Sequence, residues 1–431
     1  MTILKKILYG DGKNISKRIY LSNFCSSMLY SVQSAILLLI VTRIGGLHAA
    51  GTFSIIYTVT QTLASLGSYS MRNFQVSDAR NQFSFAEYYV SRIITCILML
   101  IACIVYCIYN RADISLYIMI LSWGIYRCVD GMEDVYHGQI QKNNRLDVAS
   151  IANTIRIASS VFVFTLFYLV SKNLIIASGA LTLASLLLFC ILNRVAFTDW
   201  QLKKEKYNLK KVLQLLVDCF PIFFGAILYN YLVNAPKYAI DRNLDKETQA
   251  IFNVIFMPIF VINVLSTFVF KPLIVKISVW WNEQKLKEMV ISIIRQGMII
   301  LMITLSVSIL GYLFGCPVLS AIYGIELGSY RTLFVVLLWF GGISALGTFF
   351  GVILTIMRKQ ILIILGYLLA FLLQMFLIDN MIIKYQIWGA GYIYGLIMGV
   401  SSIFFLICIV VIMLYAKMRG DSHGYSDENI S

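Results

Sequence analysis

Charge is what this sequence has least of. Only 13% of its 431 residues are Asp, Glu, Lys or Arg, against 59% hydrophobic, and its mean hydropathy is +0.81. A soluble domain of this length cannot hide so much apolar surface, so the bilayer must be the solvent. Proline is scarce as well, with 5 residues, so few helices are interrupted; Pro221 and Pro258 fall inside apolar stretches, where kinks are expected. The 9 cysteines lie in or beside apolar stretches with no paired pattern in a loop, which argues against disulfides and structural metal. Only 3 histidines occur, and no nucleophile, base or metal cluster stands out, so the chain does not read as an enzyme and calls for no cofactor. Long loops are missing too, which leaves no room for a soluble catalytic domain.

What is present is a series of apolar stretches of bilayer-crossing length. They predict an all-α integral membrane protein of about twelve helices, at 19–42, 50–70, 89–109, 113–132, 149–170, 174–193, 213–236, 248–270, 289–312, 331–356, 361–379 and 388–415. The first stretch follows a basic tail and has no small-residue cleavage site, so it reads as a retained helix. With the N-terminus inside, 25 of the 35 Lys and Arg fall on the cytoplasmic side, which predicts that both termini are cytoplasmic. The net charge of +14 is then explained by topology and anionic lipid headgroups, without nucleic acid. The basic stretch at 195–212 divides the chain into an N-terminal six-helix bundle (1–200), a C-terminal one (201–420) and a polar tail (421–431). Ala50-Gly51-Thr52-Phe53 loosely parallels Gln249-Ala250-Ile251-Phe252, as a parallel repeat with a cavity between bundles would require. A short interfacial helix is expected around Cys316 to Leu319.

The few charges within helices form stripes. Arg127, Asp130, Asp134, His137 and Gln141 fall within an arc of roughly 80° on the fourth helix. Asn153, Arg156 and Ser160 recur at helical spacing on the fifth, which lets Asp130 or Asp134 pair with Arg156. Ser54, Thr58, Gln61, Ser65, Ser68 and Arg72 draw a polar line on the second helix, matched by Asn23, Ser27, Tyr30 and Ser34 on the first. The hydroxyls serve either helix packing or a cavity, whereas Gln61 and Arg72 favour the cavity. Asn230, Asn234, Lys237 and Asp241 share a face of the seventh helix. There Lys237 is either a snorkelling lysine bridged to Asp241 or an anion contact. Arg43 is either its counterpart in the other half or an interfacial anchor. Arg127 and Arg156 form a structural ion-pair network with the aspartates, or a phosphate site, or each in turn. Asp130 or Asp134 is placed to carry a coupling proton.

Several segments resemble the bacterial Wzx-type polysaccharide flippases of the multidrug/oligosaccharidyl-lipid/polysaccharide exporter superfamily. They are Thr42-Arg43-Ile44-Gly45-Gly46, Arg72 to Asp78, Arg127 to Gly138, Gln141 to Asp147 and Asn234-Ala235-Pro236-Lys237-Tyr238. The resemblance implies a V-shaped, MATE-like pair of six-helix bundles in the cytoplasmic membrane. It also implies alternating-access translocation of undecaprenyl-pyrophosphate-linked oligosaccharide for O-antigen, capsule or exopolysaccharide synthesis. On that reading Arg127, Arg156, Lys237, Arg43 and Arg72 contact the diphosphate, and Gln61, Asn230 and Asn234 the sugars. Asp130 and Asp134 form the charge network, with possible coupling to H+ or Na+. The expected partners are membrane lipids, a polysaccharide polymerase, a chain-length regulator and an initiating glycosyltransferase. The rival within the superfamily is a cation-coupled multidrug exporter, which commonly carries an acidic residue in the first helix; this chain has none there. A membrane glycan polymerase or ligase would need a large outer loop, which is missing. Arg156→Ala is expected to abolish export while leaving the protein inserted and abundant.

Overall fold

A computed structural model describes residues 2–10, 15–78, 82–143, 145–196, 207–270 and 273–427. Among these the chain is almost entirely helical, with no strand. The predicted junction near residue 200 and much of the basic stretch lie outside the described residues, as does the end of the polar tail. Packing divides the chain into two compact units, Met1–Asn230 and Tyr231–Ser431.

The first unit begins with α1 (Thr2–Tyr9) and α2 (Ile15–Ser68), followed by α3 (Met71–Ser77), α4 (Phe85–Tyr109), α5 (Ile114–Lys142), α6 (Leu146–Ser171) and α7 (Leu174–Ala196). The unit boundary falls within α8 (Leu209–Asn243). The apolar part of α2 is 52 residues long, which at about 1.5 Å per residue far exceeds a hydrocarbon core of about 30 Å. It is two helices joined at Gly46, whose φ of 75° and ψ of −175° lie in a region that residues with a Cβ avoid. Asn23, Ser27 and Tyr30 before that joint, and Gln61, Ser65 and Ser68 after it, line one cavity, so the two halves face each other. These are the first two predicted spans, with the break where the sequence placed it.

The burial pattern of α4 is the reverse of a soluble helix. It buries Glu87, Ser91, Arg92 and Thr95 while exposing Ile93, Ile97, Leu98, Ile101, Val105 and Ile108. Only an apolar surrounding rewards that arrangement. Ser84 and Glu87 close a capping box at its start, leaving the first-turn donors satisfied. In the loop before it, partial burial pushes the Asp78 carboxyl up. The backbone N–H groups of Gln82 and Phe83 outweigh that and hold it below the usual carboxylate range.

The second unit continues with α9 (Lys246–Phe256), α10 (Ile259–Phe270), α11 (Ile274–Asn282), α12 (Leu286–Leu310), α13 (Cys316–Tyr323), α14 (Arg331–Ile356) and α15 (Gln360–Asp427). The break between α9 and α10 falls at Pro258, where a kink is expected, whereas α8 runs through Pro221 without a break. Transmembrane helices tolerate proline where neighbouring groups take up the freed carbonyl. The short helix expected near Cys316 is α13. α15 is again two helices, joined at Gln386 (φ 52°, ψ −134°). Tyr367 and Phe405 meet ring to ring at 5.3 Å, and a Cβ on Gly389 would lie 2.2 Å from the Met381 carbonyl oxygen. Its halves therefore run antiparallel in close contact.

Nine helical stretches among the described residues are long and apolar enough to cross a membrane, the two jointed ones being 52 and 57 residues long. α5 is not among them. Arg127, Asp130, Glu133, Asp134 and Lys142 lower its hydropathy, and the first four build the site.

Candidate functional site

A cavity of about 470 Å³ opens inside the first unit, lined by the two halves of α2, by α3, α5 and α6, and by Asn230 of α8. Its walls hold Arg72, Arg127, Asp130, Glu133, Asp134, His137 and Arg156, together with Asn23, Tyr30, Gln61, Ser65 and Asn153. Of the residues singled out from the sequence, it brings together Arg72, Arg127, Arg156, Gln61, Asn230, Asp130 and Asp134.

The arginines differ in how fully they are engaged. Arg156, buried on α6, gives Nε to Glu133 at 2.6 Å, Nη2 to Asp130 at 2.5 Å and to Asn153 at 3.2 Å, and Nη1 to Ser185 of α7 at 2.8 Å. Its donors point in every direction at once and are met in each. Arg127, one turn above Asp130 on α5, spends only Nη1, on Asp130 at 2.9 Å. Its guanidinium carbon lies 4.8 Å from the ring centroid of Tyr57 and 5.6 Å from that of Tyr126. Nε and Nη2 are buried and have no hydrogen-bond partner among the described residues. A planar cation held against aromatic rings, with two N–H groups to spare on a cavity wall, suits a bidentate oxyanion.

At the far end of the same stripe Asp134 is shared. One oxygen accepts from Arg72 at 3.1 Å and the other from Arg92 of α4 at 3.1 Å. Arg72 also reaches Gln141 at 3.1 Å, and Arg92 reaches the carbonyl of Gly67 at 2.8 Å. The expected pairing of Arg156 is thus with Asp130 and not with Asp134. Asn230 donates to Ser65 at 2.7 Å, and Asn153 to Ser26 at 2.9 Å, so the polar lines of α2 are tied to the cavity wall.

Three expected site residues do not line this cavity. Arg43 is exposed, three residues before the Gly46 joint. Asn234 and Lys237 belong to the second unit, where both are buried. Lys237 lies 5.0 Å over the Phe256 ring, and of its two readings the bridge to Asp241 is not formed, because Asp241 pairs with Lys246 instead. Two residues that the sequence stripe omitted carry much of the network. Glu133 sits about 40° off the arc, at the end of the predicted fourth span, and Arg92 reads from sequence as a topological charge at the start of the third. A carboxylate one turn from Asp130 and one residue from Asp134 was the available signal for Glu133.

Residues 18–278 match the polysaccharide biosynthesis protein family. The capsular polysaccharide biosynthesis protein CapF of Staphylococcus aureus is 23% identical over 334 residues, covering 76% of this chain and 82% of the relative. An inward-facing multidrug resistance MATE family transporter of the MOP superfamily matches with a TM-score of 0.62 at 12% identity, over 91% of this chain and 94% of that one. A MOP superfamily transporter from Pyrococcus furiosus, whose reversed binding-pocket polarity suggests a different function, matches at 0.58 and 13% identity, over 96% and 97%. At such identities the structural likeness speaks for the fold, which is that of MOP superfamily transporters, and with the apolar helices it makes this a multi-pass membrane protein. The family match spans more than half of the sequence, and the chain belongs to the polysaccharide biosynthesis protein family.

Proposed function

We propose that this protein is a flippase that moves undecaprenyl-diphosphate-linked oligosaccharide across the bacterial cytoplasmic membrane, by alternating access, for assembly of a surface polysaccharide. The observation that carries the reading is Arg127, which lines a polar cavity among membrane helices and whose buried Nε and Nη2 have no hydrogen-bond partner among the described residues. Diphosphate and sugar hydroxyls cannot cross hydrocarbon unassisted, so they need a polar route, while the prenyl chain stays in lipid. Arg127 takes a phosphate oxygen pair, and Gln61, Asn230 and the serine line of α2 take hydroxyls. Arg156 holds the frame. No covalent step is involved, so the protein acts as a carrier and not as an enzyme, working beside a polymerase and a chain-length regulator.

The carboxylates Asp130, Glu133 and Asp134 on the same wall favour a second reading, export of a cationic drug. Depletion of the protein separates the two. The flippase reading expects intact lipid-linked oligosaccharide to build up where a reagent confined to the outer leaflet cannot reach it. Intermediates that build up outside, unpolymerised, would shift the role towards a polymerase. Unchanged surface glycan with raised sensitivity to cationic drugs would favour the exporter.

A further inference from the structure

We propose that Glu133 and His137 form a proton-binding site that loads together with the anion, so that a diphosphate ligand and a proton enter the cavity as a pair. This rests on the flippase reading above. Glu133 and His137 lie one turn apart on α5, are 2% and 6% exposed, and both line the cavity. Glu133 uses one oxygen, Oε2, to hold Arg156. Its other oxygen, Oε1, lies 3.6 Å from His137 Nε2, and neither atom has a hydrogen-bond partner among the described residues. When the neutral imidazole carries its proton on Nδ1, Nε2 and Oε1 are two buried acceptors facing each other across a gap slightly too wide for a hydrogen bond. A proton from bulk water on Nε2 turns the imidazole into a donor to Oε1 and closes the gap, satisfying both atoms at once.

Charge balance gives that proton a purpose. The groups facing the pair are Arg156 from α6, Arg72 from α3, Arg92 from α4 by way of Asp134, and Asp130 and Asp134 on α5 itself. α7 brings the Ser185 hydroxyl to Arg156, and α2 brings uncharged Tyr30 and Gln61. With Arg127, four guanidinium groups stand against the three carboxylates of Asp130, Glu133 and Asp134, a surplus of one positive charge. A diphosphate diester carries one ionised oxygen on each phosphorus, so the loaded cavity would hold a surplus negative charge inside the membrane, where unbalanced charge is costly. One proton on the Glu133–His137 pair restores neutrality. By linkage, the anion then raises the affinity of the pair for the proton, and the proton raises the affinity for the anion to the same degree.

The test is calorimetric titration of the full-length protein in lipid nanodiscs with a short-chain prenyl diphosphate-linked N-acetylglucosamine. Titrations run at one pH in buffers of different ionisation enthalpy give the number of protons taken up. The expected result is about one proton per ligand, with affinity falling about tenfold per pH unit above the range in which the pair is protonated. His137→Asn keeps the Glu133–Arg156 ion pair and is expected to bind the ligand with little proton uptake and a flat pH profile. Glu133→Gln supplies the missing charge permanently and is expected to do the same. Binding without proton uptake in the unaltered protein overturns this proposal and leaves the flippase reading standing. Undiminished proton uptake in His137→Asn places the proton elsewhere and also overturns it. Failure of the unaltered, folded protein to bind the ligand at any pH overturns the flippase reading itself.

Discussion

Arg127 and Arg156 read as equivalents in the sequence, yet their surroundings predict opposite outcomes when each is replaced. Removing Arg156 leaves Glu133 buried without its arginine partner and Asp130 with Arg127 alone, a loss of about 3–5 kcal/mol for the broken buried Glu133 pair. Arg156→Ala should therefore reach the membrane poorly and melt early, contrary to the expectation that it stays abundant. Normal abundance of a fluorescent fusion in the membrane fraction would refute this. Removing Arg127 costs less, because Asp130 keeps Arg156 as its partner. Arg127→Ala should stay abundant but lose charge-assisted bonds worth about 1.5–3 kcal/mol each, weakening diphosphate binding roughly tenfold or more. Arg127→Lys should recover only part of that, since an ammonium cannot present the planar fork. Full recovery would show that a point charge is enough. Helical spacing found Arg127, Asp130 and Asp134 because they share one face of one helix. It could not find Arg92, whose role depends on where α4 packs against α5, nor rank the two arginines, since a count of engaged donors exists only in three dimensions.

Among the elements, the joints of α2 and α15 turn single helical runs into facing pairs, and they differ in how they do it. At Gly46 the residue suits the conformation, and nothing lies within 4 Å of where a Cβ would stand, so the effect of a substitution there is one of backbone strain. Gly46→Ala should lower stability by about 1–3 kcal/mol, read as an earlier melt of the purified protein, with no loss of side-chain packing to confuse the result. An unchanged melt would mean the joint relaxes at no cost. The gap between the apolar runs at 19–42 and 50–70 marked the first joint in the sequence, and Gly45-Gly46 lies within it. Gln386 announces nothing of the kind, because a glutamine has no preference for positive φ, and only the spacing of apolar runs on either side of 380–387 marked the second. Pro258 and Pro221 show the same limit. Both carry a helix-breaking ring, but only the first breaks its helix.

For the molecule as a whole, α5 decides the topology. Its charges would cost roughly 2.5–3.5 kcal/mol each at the centre of an isolated helix. They do not enter alone, because Asp130 meets Arg127 and Arg156, Glu133 meets Arg156, and Asp134 meets Arg72 and Arg92. Paired in this way, α5 and α6 can insert together as an almost neutral unit, which composition measured one helix at a time cannot reveal. The nine apolar stretches among the described residues, with the two jointed ones counted as pairs and α5 added, would give twelve crossings. With the N-terminus inside, as the charge distribution predicts, they would keep Lys142 and Arg145 on the basic, cytoplasmic side and Arg111 and Lys172 on the other. A periplasm- or exterior-active reporter fused after Arg111 or after Lys172 should therefore be active, and one fused after Asn143 silent. If α5 remains on one side, the Asn143 fusion becomes active and the Lys172 fusion silent, and every later loop changes side. The C-terminus would then lie outside, and the cavity built on α5 would sit at the membrane surface instead of within it, where an oligosaccharide would have no need of a carrier.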